Sequence, residues 1–196
     1  MKTFNNFISE AKEKSATFTF GRFNPPTTGH EKLVKKLLSV GRGTDVLLFS
    51  SHSNDKRKNP LNHRDKVKYL KKFFGKIVVD ANVRTVFEIC NFLQEKKYVN
   101  VNMVVGSDRV KEFEMLITKY NGVKARHGYY KFKNINIISA GERDPDADDV
   151  SGMSASKMRE FAEKGDFEGF KDGVPSKGKN LAKKLYDDIR KGMGIN

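Results

Sequence analysis

The chain has 196 residues, 37% of them hydrophobic, and a formal net charge of +14 at pH 7. A chain of this length forms one ordinary domain with a core and a short appendage, and it contains no apolar run of about 18 residues that would span a membrane. The positive charge predicts an acidic partner, whether nucleotide, nucleic acid or another anion. The single cysteine, Cys90, lies in an apolar stretch, so we expect a buried thiol and no disulfide.

The N-terminal stretch MKTFNNFISEA lacks the apolar region of a secretory signal. Phe4, Phe7, Ile8 and Ala11 follow the spacing of a short amphipathic helix, which we expect to dock on the domain. The stretch is also similar to the capsid-targeting propeptides of internal proteins in T-even-type tailed phages, which begin with a Met-Lys-Thr-aromatic run and are cleaved after an Ile/Leu-x-Glu tripeptide. That resemblance implies a phage-encoded protein cleaved after Glu10, and both interpretations stay open.

Apolar segments with strand character alternate with helical patterns along the rest of the chain. The predicted strands cover 16–20, 44–51, 76–82, 99–108 and 129–140, and the predicted helices cover 29–39, 61–74, 84–97 and 108–120. This alternation indicates βαβ units. It predicts an α/β fold with a Rossmann-like, mostly parallel sheet and helices on both faces, in three α/β/α layers. Ligands of such sheets bind beyond the carboxyl ends of the strands.

The stretch GRFNPPTTGH, residues 21–30, lies between the first predicted strand and the first predicted helix. The unpaired amides and the dipole of a helix N-terminus favour an anion at this place, although Thr27 or Thr28 could simply cap the helix. The stretch resembles the signature G-x-F-x-P-x-[HT]-x-G-H of the adenylyl- and cytidylyltransferase superfamily. That Rossmann-like superfamily includes the nicotinamide-mononucleotide and pantetheine-phosphate adenylyltransferases.

A second motif, SGMSASKMREF at residues 151–161, is similar to the late [IV]-S-[SA]-[ST]-x-[IL]-R signature of the same superfamily. Ser154, Ser156 and Arg159 match it, while Met153 and Met158 replace branched aliphatic residues. We expect the serines to open a helix whose amides hold the β- and γ-phosphates. The arginine would add a cation capable of bidentate contacts. The resemblance covers roughly residues 15–165.

The resemblance implies a role for each matching residue. His30 would donate to the α-phosphate, Thr27 would help to hold the acceptor or the α-phosphate, and Arg159 would hold the leaving pyrophosphate with the serines. The nucleotide and phosphate site would comprise the following residues: Gly21, Arg22, Phe23, Gly29, Gly106, Asp108, Ser154 and Ser156. Gly106 and Asp108 are included in this site because VGSD, residues 105–108, is similar to the Gly-[AGS]-Asp segment of the family. The loop and helix after the second strand would shape the acceptor site, with these candidates: Lys56, Arg57, Lys58 and Arg64.

Other motifs in the sequence fail on inspection. The run starting at Asp144 lacks the glycine and glutamate of a calcium loop, and GVPSKGKN has Asn180 where a P-loop needs Ser or Thr. Three histidines lack zinc-site spacing, and we expect ordinary surface or loop positions for them: His52, His63 and His127. Without a visible all-protein metal cage, Mg²⁺ would arrive with the nucleotide.

These patterns divide the chain into three parts: an N-terminal amphipathic segment and candidate capsid-targeting propeptide at 1–14, a nucleotidyltransferase domain at 15–172, and a basic linker with a C-terminal helix at 173–196. The implied reaction transfers a nucleoside monophosphate from a nucleoside triphosphate (NTP) to a phosphorylated small molecule and releases pyrophosphate. The late motif lacks the Arg-Thr pair typical of the cytidylyltransferase branch, which favours ATP over CTP. The acceptor stays open among nicotinamide mononucleotide, phosphopantetheine, and sugar or polyol phosphates.

An alternative function belongs to a different class. The charge of +14 and the propeptide-like start also suit a non-catalytic, DNA-associated internal virion protein built on a transferase-like fold. We expect the protein in the cytoplasm of the phage host or packaged in the virion, with no membrane association. The sequence leaves its oligomeric state open.

Overall fold

The fold is built on a parallel sheet. The computed structural model describes residues 13–141 and 152–195, and within them four strands form the sheet in the order β2-β1-β3-β4. The strands are β1 Ser15–Gly21, β2 Asp45–Ser50, β3 Asn100–Val105 and β4 Asn134–Ser139, all parallel to their neighbours. The predictions for residues 1–12, including the cleavage after Glu10, and for 144–149 lie outside the described residues.

Helices connect and follow the strands. They are α1 Thr28–Val40, α2 His63–Phe74, α3 Val86–Glu95, α4 Val110–Lys119, α5 Ala155–Lys164, α6 Phe167–Asp172 and α7 Ala182–Met193. Short 3₁₀ turns occupy Gly75–Ile77, Ser107–Arg109 and Ser176–Leu181. Within the described ranges, no helix is both long and apolar enough to cross a membrane.

The two faces of the sheet bury different clusters, because alternate residues of each strand point to opposite sides. On one face, Phe18 and Met103 pack with Ile89 of α3 and Phe113 of α4. On the other face, Leu48 packs with residues of α1 and α2: Val34, Val67 and Leu70. The predicted α/β fold with helices on both faces is therefore confirmed.

The prediction of a buried thiol is also confirmed. Cys90 has no exposed surface, and burial raises its pKa to about 12.

The C-terminal helices form a third cluster with α2. Met158 of α5, Phe170 of α6 and Leu185 of α7 are fully buried there, together with Tyr69 and Phe73 of α2. The segment after α6 joins this layer, because Val174 is fully buried and the Ser176 amide donates to the Glu31 carboxylate at 3.0 Å. The C-terminal segment thus contacts both α1 and α2.

The predicted strand at 76–82 is wrong. The 3₁₀ turn at Gly75–Ile77 holds its first residues off the sheet. Only Val78 forms a bridge with Leu48, and the Val79 amide donates to the Leu48 carbonyl at 2.9 Å. Beyond this point the chain leaves the sheet, and the exposed Asp80 pairs with Lys71 of α2 at 2.8 Å. Residues 129–140 likewise form a strand only at Asn134–Ser139.

The sheet order positions the site. The chain leaves β1 toward β2 on one side and later returns to β3 on the other, so the loops after β1 and β3 diverge at this point. Such a switch point, at the carboxyl edge of a parallel sheet, is where ligands of these folds bind.

Candidate active site

The loop after β1 holds a buried aromatic residue in an unusual conformation. Gly21 ends β1, Arg22 is exposed, and Phe23 is fully buried with a φ of 47°. The Phe23 ring packs against the His30 ring with centroids 4.8 Å apart. A bulky residue keeps a positive φ only where its surroundings over-determine it. This loop therefore fixes the Phe23 ring, against which the His30 imidazole packs.

Thr27 and His30 form a reciprocal cap at the start of α1. The Thr27 hydroxyl oxygen accepts the His30 amide at 3.2 Å, and His30 Nδ1 lies 3.1 Å from the Thr27 amide and 3.0 Å from its hydroxyl oxygen. Because an amide N–H can only donate, Nδ1 accepts, and the neutral ring carries its proton on Nε2. The cap thus fixes both the orientation and the tautomer of the ring, and Nε2 is its donor.

The first turn of α1 offers fewer amides to an anion than the sequence predicts. The Thr28 amide donates to the Gly173 carbonyl at 2.9 Å, and the His30 amide is taken by the cap. The interpretation of Thr27 as a helix cap is therefore correct, and the same cap positions His30. Any anion at this place would be met mainly by side chains.

The late motif lies directly against this turn. Ser154 caps α5 by accepting the Lys157 amide at 3.1 Å, as predicted for a helix that begins at this serine. A Cβ added to Gly29 would lie 3.0 Å from the Met153 carbonyl oxygen and 3.1 Å from that of Gly152. The approach of α1 to the late motif is therefore close at Gly29, where a side chain would push the two segments a few tenths of an ångström apart.

Arg159 joins the two motifs through hydrogen bonds. Its Nη1 donates to the Asn24 carbonyl at 2.7 Å, and its Nη2 donates to the Ser156 hydroxyl at 3.0 Å. Burial lowers the pKa of Arg159, and the nearby positive charge of Arg22 lowers it further. The two guanidinium groups are thus held near each other at the carboxyl edge of β1.

Asn24 is a structural residue that the sequence analysis missed. Its side-chain amide donates to the Leu61 carbonyl at 2.8 Å and accepts the Leu61 amide at 3.0 Å. It thereby ties the loop after β1 to the segment that leads into α2. No chemical motif marks it, since a buried asparagine in a turn resembles any other turn residue.

Lys66 is the second residue that the sequence analysis missed. Its side chain has no exposed surface, and Nζ has no hydrogen-bond partner among the described residues. Burial lowers the pKa of Lys66 to about 8, with a further contribution from Arg22. A signal was present, because Lys66 continues the buried stripe of α2 that contains Tyr69, Leu70 and Phe73.

Two histidines stack beside Lys66. The rings of His52, after β2, and His63, at the start of α2, lie 3.6 Å apart with an interplanar angle of 21°. His52 Nε2 and His63 Nδ1 are buried without a hydrogen-bond partner in the described chain. Burial, His52 and Lys66 lower the pKa of His63. His52 lies in a loop, as expected, and both residues are partly exposed, but the stack and the buried ring nitrogens were not predicted. His127 instead packs among aromatic rings near α3, with Phe87 at 4.8 Å.

The basic loop after β2 is exposed. Asp55 accepts the Arg57 and Lys58 amides at 3.0 and 2.6 Å, which holds its pKa at about 2, and its charge raises the pKa of Arg159. The Lys56 ammonium lies near Gly194 at the end of α7. Arg64 is exposed on α2, whereas Lys66 two residues later faces inward.

Gly106 and Asp108 lie at the same sheet edge, at the end of β3. Gly106 precedes the 3₁₀ turn, and Asp108 is exposed. The Ser107 amide donates to the Gly141 carbonyl at 3.1 Å. Within the described residues, neither Gly106 nor Asp108 forms a hydrogen bond to the motifs at 21–30 and 152–161.

The chemistry of the edge is cationic. Three cations form no ion pair within the described chain: Arg22, Lys66 and Arg159. The charge of Arg22 lowers the pKa of both Lys66 and Arg159. Among the described residues, no group of three or more His, Cys, Asp or Glu side chains could hold a metal ion. Mutually close cations without acidic partners suit a polyanionic ligand.

Comparisons with known proteins agree with this geometry. Residues 18–161 match the model of the family described as Cytidylyltransferase-like. A Vibrio parahaemolyticus protein assigned as a nicotinate-nucleotide adenylyltransferase has a similar structure, with a TM-score of 0.53, 14% identity, and coverage of 86% of this chain and 98% of that one. Nicotinic acid mononucleotide adenylyltransferase from Plasmodium falciparum, solved with NaAD, gives a TM-score of 0.54, 16% identity, and coverage of 89% and 98%.

A search of curated proteins returned no matching sequence. At these low identities the structural matches show a shared fold, whereas the family match extends over most of the chain and includes both motifs. The chain therefore belongs to the cytidylyltransferase-like family of nucleotidyltransferases.

Proposed function

We propose that this protein transfers a nucleoside monophosphate from an NTP to a phosphorylated small molecule and releases pyrophosphate. One observation carries the proposal: Arg159 of the late motif donates to the Asn24 carbonyl of the first motif, beside Arg22. A reaction between two polyanions needs cations and oriented donors at one point. The first turn of α1, the start of α5 and these two arginines supply them.

The donor phosphates would lie between α1 and α5. Arg159, with the Ser154 and Ser156 hydroxyls, would hold the β- and γ-phosphates. His30 Nε2, whose proton is fixed there by the cap on Nδ1, would donate to the α-phosphate. Thr27 keeps this ring in place, and Arg22 would neutralise the phosphate cluster.

The reaction needs no covalent enzyme intermediate. An oxygen of the acceptor phosphate attacks the α-phosphorus and forms a new P–O bond. The bond from the α-phosphorus to the bridging oxygen of the β-phosphate breaks, and pyrophosphate leaves with that electron pair. The residues above position the two substrates and stabilise negative charge in the transition state.

Mg²⁺ would enter with the nucleotide and bind its phosphate oxygens, where it screens their charge. The described residues fit this arrangement, since the edge offers Arg22, Arg159 and the serine hydroxyls to phosphates. A dedicated protein cage would need several carboxylates at one point.

We propose ATP as the preferred donor, because the segment before Ser154 lacks the Arg-Thr pair that is typical of cytidylyltransferases. The two similar structures carry the names of adenylyltransferases that act on pyridine mononucleotides. Nicotinate and nicotinamide mononucleotides are therefore sensible first acceptors to assay, together with phosphopantetheine and with sugar and polyol phosphates.

The test is pyrophosphate release by the purified protein with Mg²⁺. ATP and CTP are each combined with the acceptors above, and single-substrate controls measure simple hydrolysis. Release that requires one donor and one acceptor together supports the proposal and identifies both. No pyrophosphate release with any pair of substrates, together with no measurable NTP binding, contradicts the proposal.

A second candidate function rests on the net charge of +14 and on exposed lysines of α2, such as Lys68, Lys71 and Lys72. These charges suit non-specific binding of DNA by a protein packaged in a phage capsid. Such binding would weaken steeply as salt increases. Duplex binding with a steep salt slope and no NTP binding would favour this function. An N-terminus at Ala11 in protein from virions would support the packaging.

A further inference from the structure

The geometry points to a phosphate subsite at Lys66, near Arg22, that binds the phosphate of the acceptor. This inference rests on the proposed function. It moves the acceptor phosphate from the exposed loop at 56–58, where the sequence predicted it, to a cluster of buried polar groups. This cluster, called the pocket below, lies after β2 and in the first turn of α2 and comprises Ser51, His52, His63 and Lys66.

The first argument is the number of buried polar atoms without partners in this pocket. Within the described residues, these atoms are solvent-inaccessible and make no hydrogen bond: Ser51 Oγ, His52 Nε2, His63 Nδ1 and Lys66 Nζ. Burying an ammonium without a partner is strongly unfavourable. Native proteins keep such groups where function requires them. A phosphate would supply acceptors for both the Lys66 ammonium and the Ser51 hydroxyl.

The second argument is the charge around Lys66. Arg22, from the loop after β1, faces it, as does His63 on α2, with His52 stacked behind. Burial and the neighbouring His52 lower the pKa of His63, so its ring is neutral at pH 7. The positive charge of the pocket is therefore concentrated on Lys66 and Arg22.

The geometry of the reaction also favours this place. Displacement at phosphorus is in line, so the attacking oxygen enters opposite the leaving group and the two phosphate groups need separate cations. If Arg159 holds the leaving pyrophosphate, the attacking phosphate needs another cation near Arg22. Lys66 is a buried cation near Arg22.

The experiment measures binding of inorganic phosphate to the full chain by calorimetry, alone and with the donor site occupied by α,β-methylene-ATP. It compares Lys66→Met with Lys68→Met, a matched change at an exposed position two residues along the same helix. We expect Lys66→Met to weaken phosphate binding at least about tenfold, the scale of one lost charged contact. Lys68→Met should bind phosphate within about twofold of wild type, and α,β-methylene-ATP should bind all three proteins within about threefold.

Two results would overturn the subsite. One is phosphate binding that is absent in wild type or equal in wild type and Lys66→Met. The other is a loss of α,β-methylene-ATP affinity in Lys66→Met as large as the loss of phosphate affinity, which would assign Lys66 to the donor. Phosphate binding that depends on Lys66 in a protein without transferase activity would support the subsite while contradicting the proposed function. The two failures are thus distinguishable.

A pH series with Lys66→Arg adds an independent readout. The pKa of Lys66 is about 8, so the free protein loses this charge above pH 8, while inorganic phosphate stays a dianion. Wild-type affinity for phosphate should fall about tenfold from pH 8.5 to 9.5, whereas Lys66→Arg should keep its affinity because arginine stays charged. Parallel pH profiles for the two proteins would contradict the role of Lys66.

Discussion

The candidate site has two halves, one around α1 and α5 and the other around β2 and α2, and their polar groups differ in hydrogen bonding. Around α1 and α5, the catalytic candidates bond to the protein itself: Thr27 to His30, and Arg159 to Asn24 and Ser156. Around β2 and α2, four buried polar atoms have no partner among the described residues: Ser51 Oγ, His52 Nε2, His63 Nδ1 and Lys66 Nζ. Around α1, only Thr28 Oγ1 is in this state within the described residues. The catalytic candidates of the first half are thus held by the protein before any ligand arrives, whereas Lys66 and Ser51 in the second half would gain hydrogen bonds from a bound phosphate.

This difference suggests separate roles for the two halves, transition-state stabilisation in the first and substrate binding in the second. Donors that stabilise a transition state act best when they are already oriented, because no reorganisation is then needed during the reaction. A group that only binds a substrate can instead remain unsatisfied in the free protein, at the expense of stability. The predictions below test whether the two halves differ in this way.

The largest effect is expected at His30. His30→Ala should lower turnover about 10²–10³-fold, the scale for one lost transition-state donor. Because His30 also closes the cap of α1, His30→Gln serves as the control, since glutamine at this position can restore a capping box. Steady-state pyrophosphate release and thermal melting measure the two roles. Normal turnover in His30→Gln would reduce His30 to a capping residue.

Arg159→Lys should weaken NTP binding about 10- to 100-fold, because lysine cannot keep both hydrogen bonds of the guanidinium fork. Arg42→Lys, in the exposed turn after α1, is the matched control and should be neutral. Calorimetry with a non-hydrolysable NTP measures the affinities. Equal affinity in the two variants would contradict a phosphate contact of Arg159.

Lys66→Met should stabilise the free protein, in contrast to most core substitutions. Its pKa is lowered from 10.5 to about 8, so the unfolded state binds more protons between these values and wild-type stability rises with pH across that window. The variant should exceed wild type by about 1–3 kcal/mol at pH 7, and the gap should narrow from pH 8 to 10.5. Urea unfolding at several pH values measures this. A destabilised variant would show that Lys66 supports the fold.

Gly29→Ala should have the smallest effect. The new methyl group would press on the Met153 and Gly152 carbonyls at about 3 Å, separating the two motifs by a few tenths of an ångström. Turnover should fall about 3- to 10-fold, because small displacements weaken in-line alignment. Lys36→Ala, an exposed change on the same helix, controls for α1 itself. Turnover equal to this control would show that the motif contact tolerates movement.

Motifs made the first half predictable from sequence. Thr27, His30, Ser154 and Arg159 lie at helix starts, where local spacing fixes both the cap and the direction of the side chain. The second half contains no such motif. Its residues meet because β2 and α2 pack together. Spacing indicates that Lys66 lies on the buried stripe of α2, but it does not indicate that His52, from after β2, stacks on His63 beside it.

The failed strand at 76–82 has a similar origin. KIVVDAN has the composition of a strand, but whether such a segment pairs with β2 depends on where the chain leaves α2, and the 3₁₀ turn after α2 leaves only Val78 in position to bridge Leu48. Composition records local preference, which tertiary contacts override.

The alternation of strands and helices, the burial of Cys90 and the two motifs could all be predicted from the sequence. Each depends on the periodicity of hydrophobic residues or on contacts between residues a few positions apart in the chain. Only the tertiary structure decided that Arg159 reaches the Asn24 carbonyl across 135 positions, that His52 stacks on His63, and that Lys66 rather than Arg64 is buried. These contacts join residues that are distant in the chain, and they exist only because packing of the helices on the sheet brings those residues together.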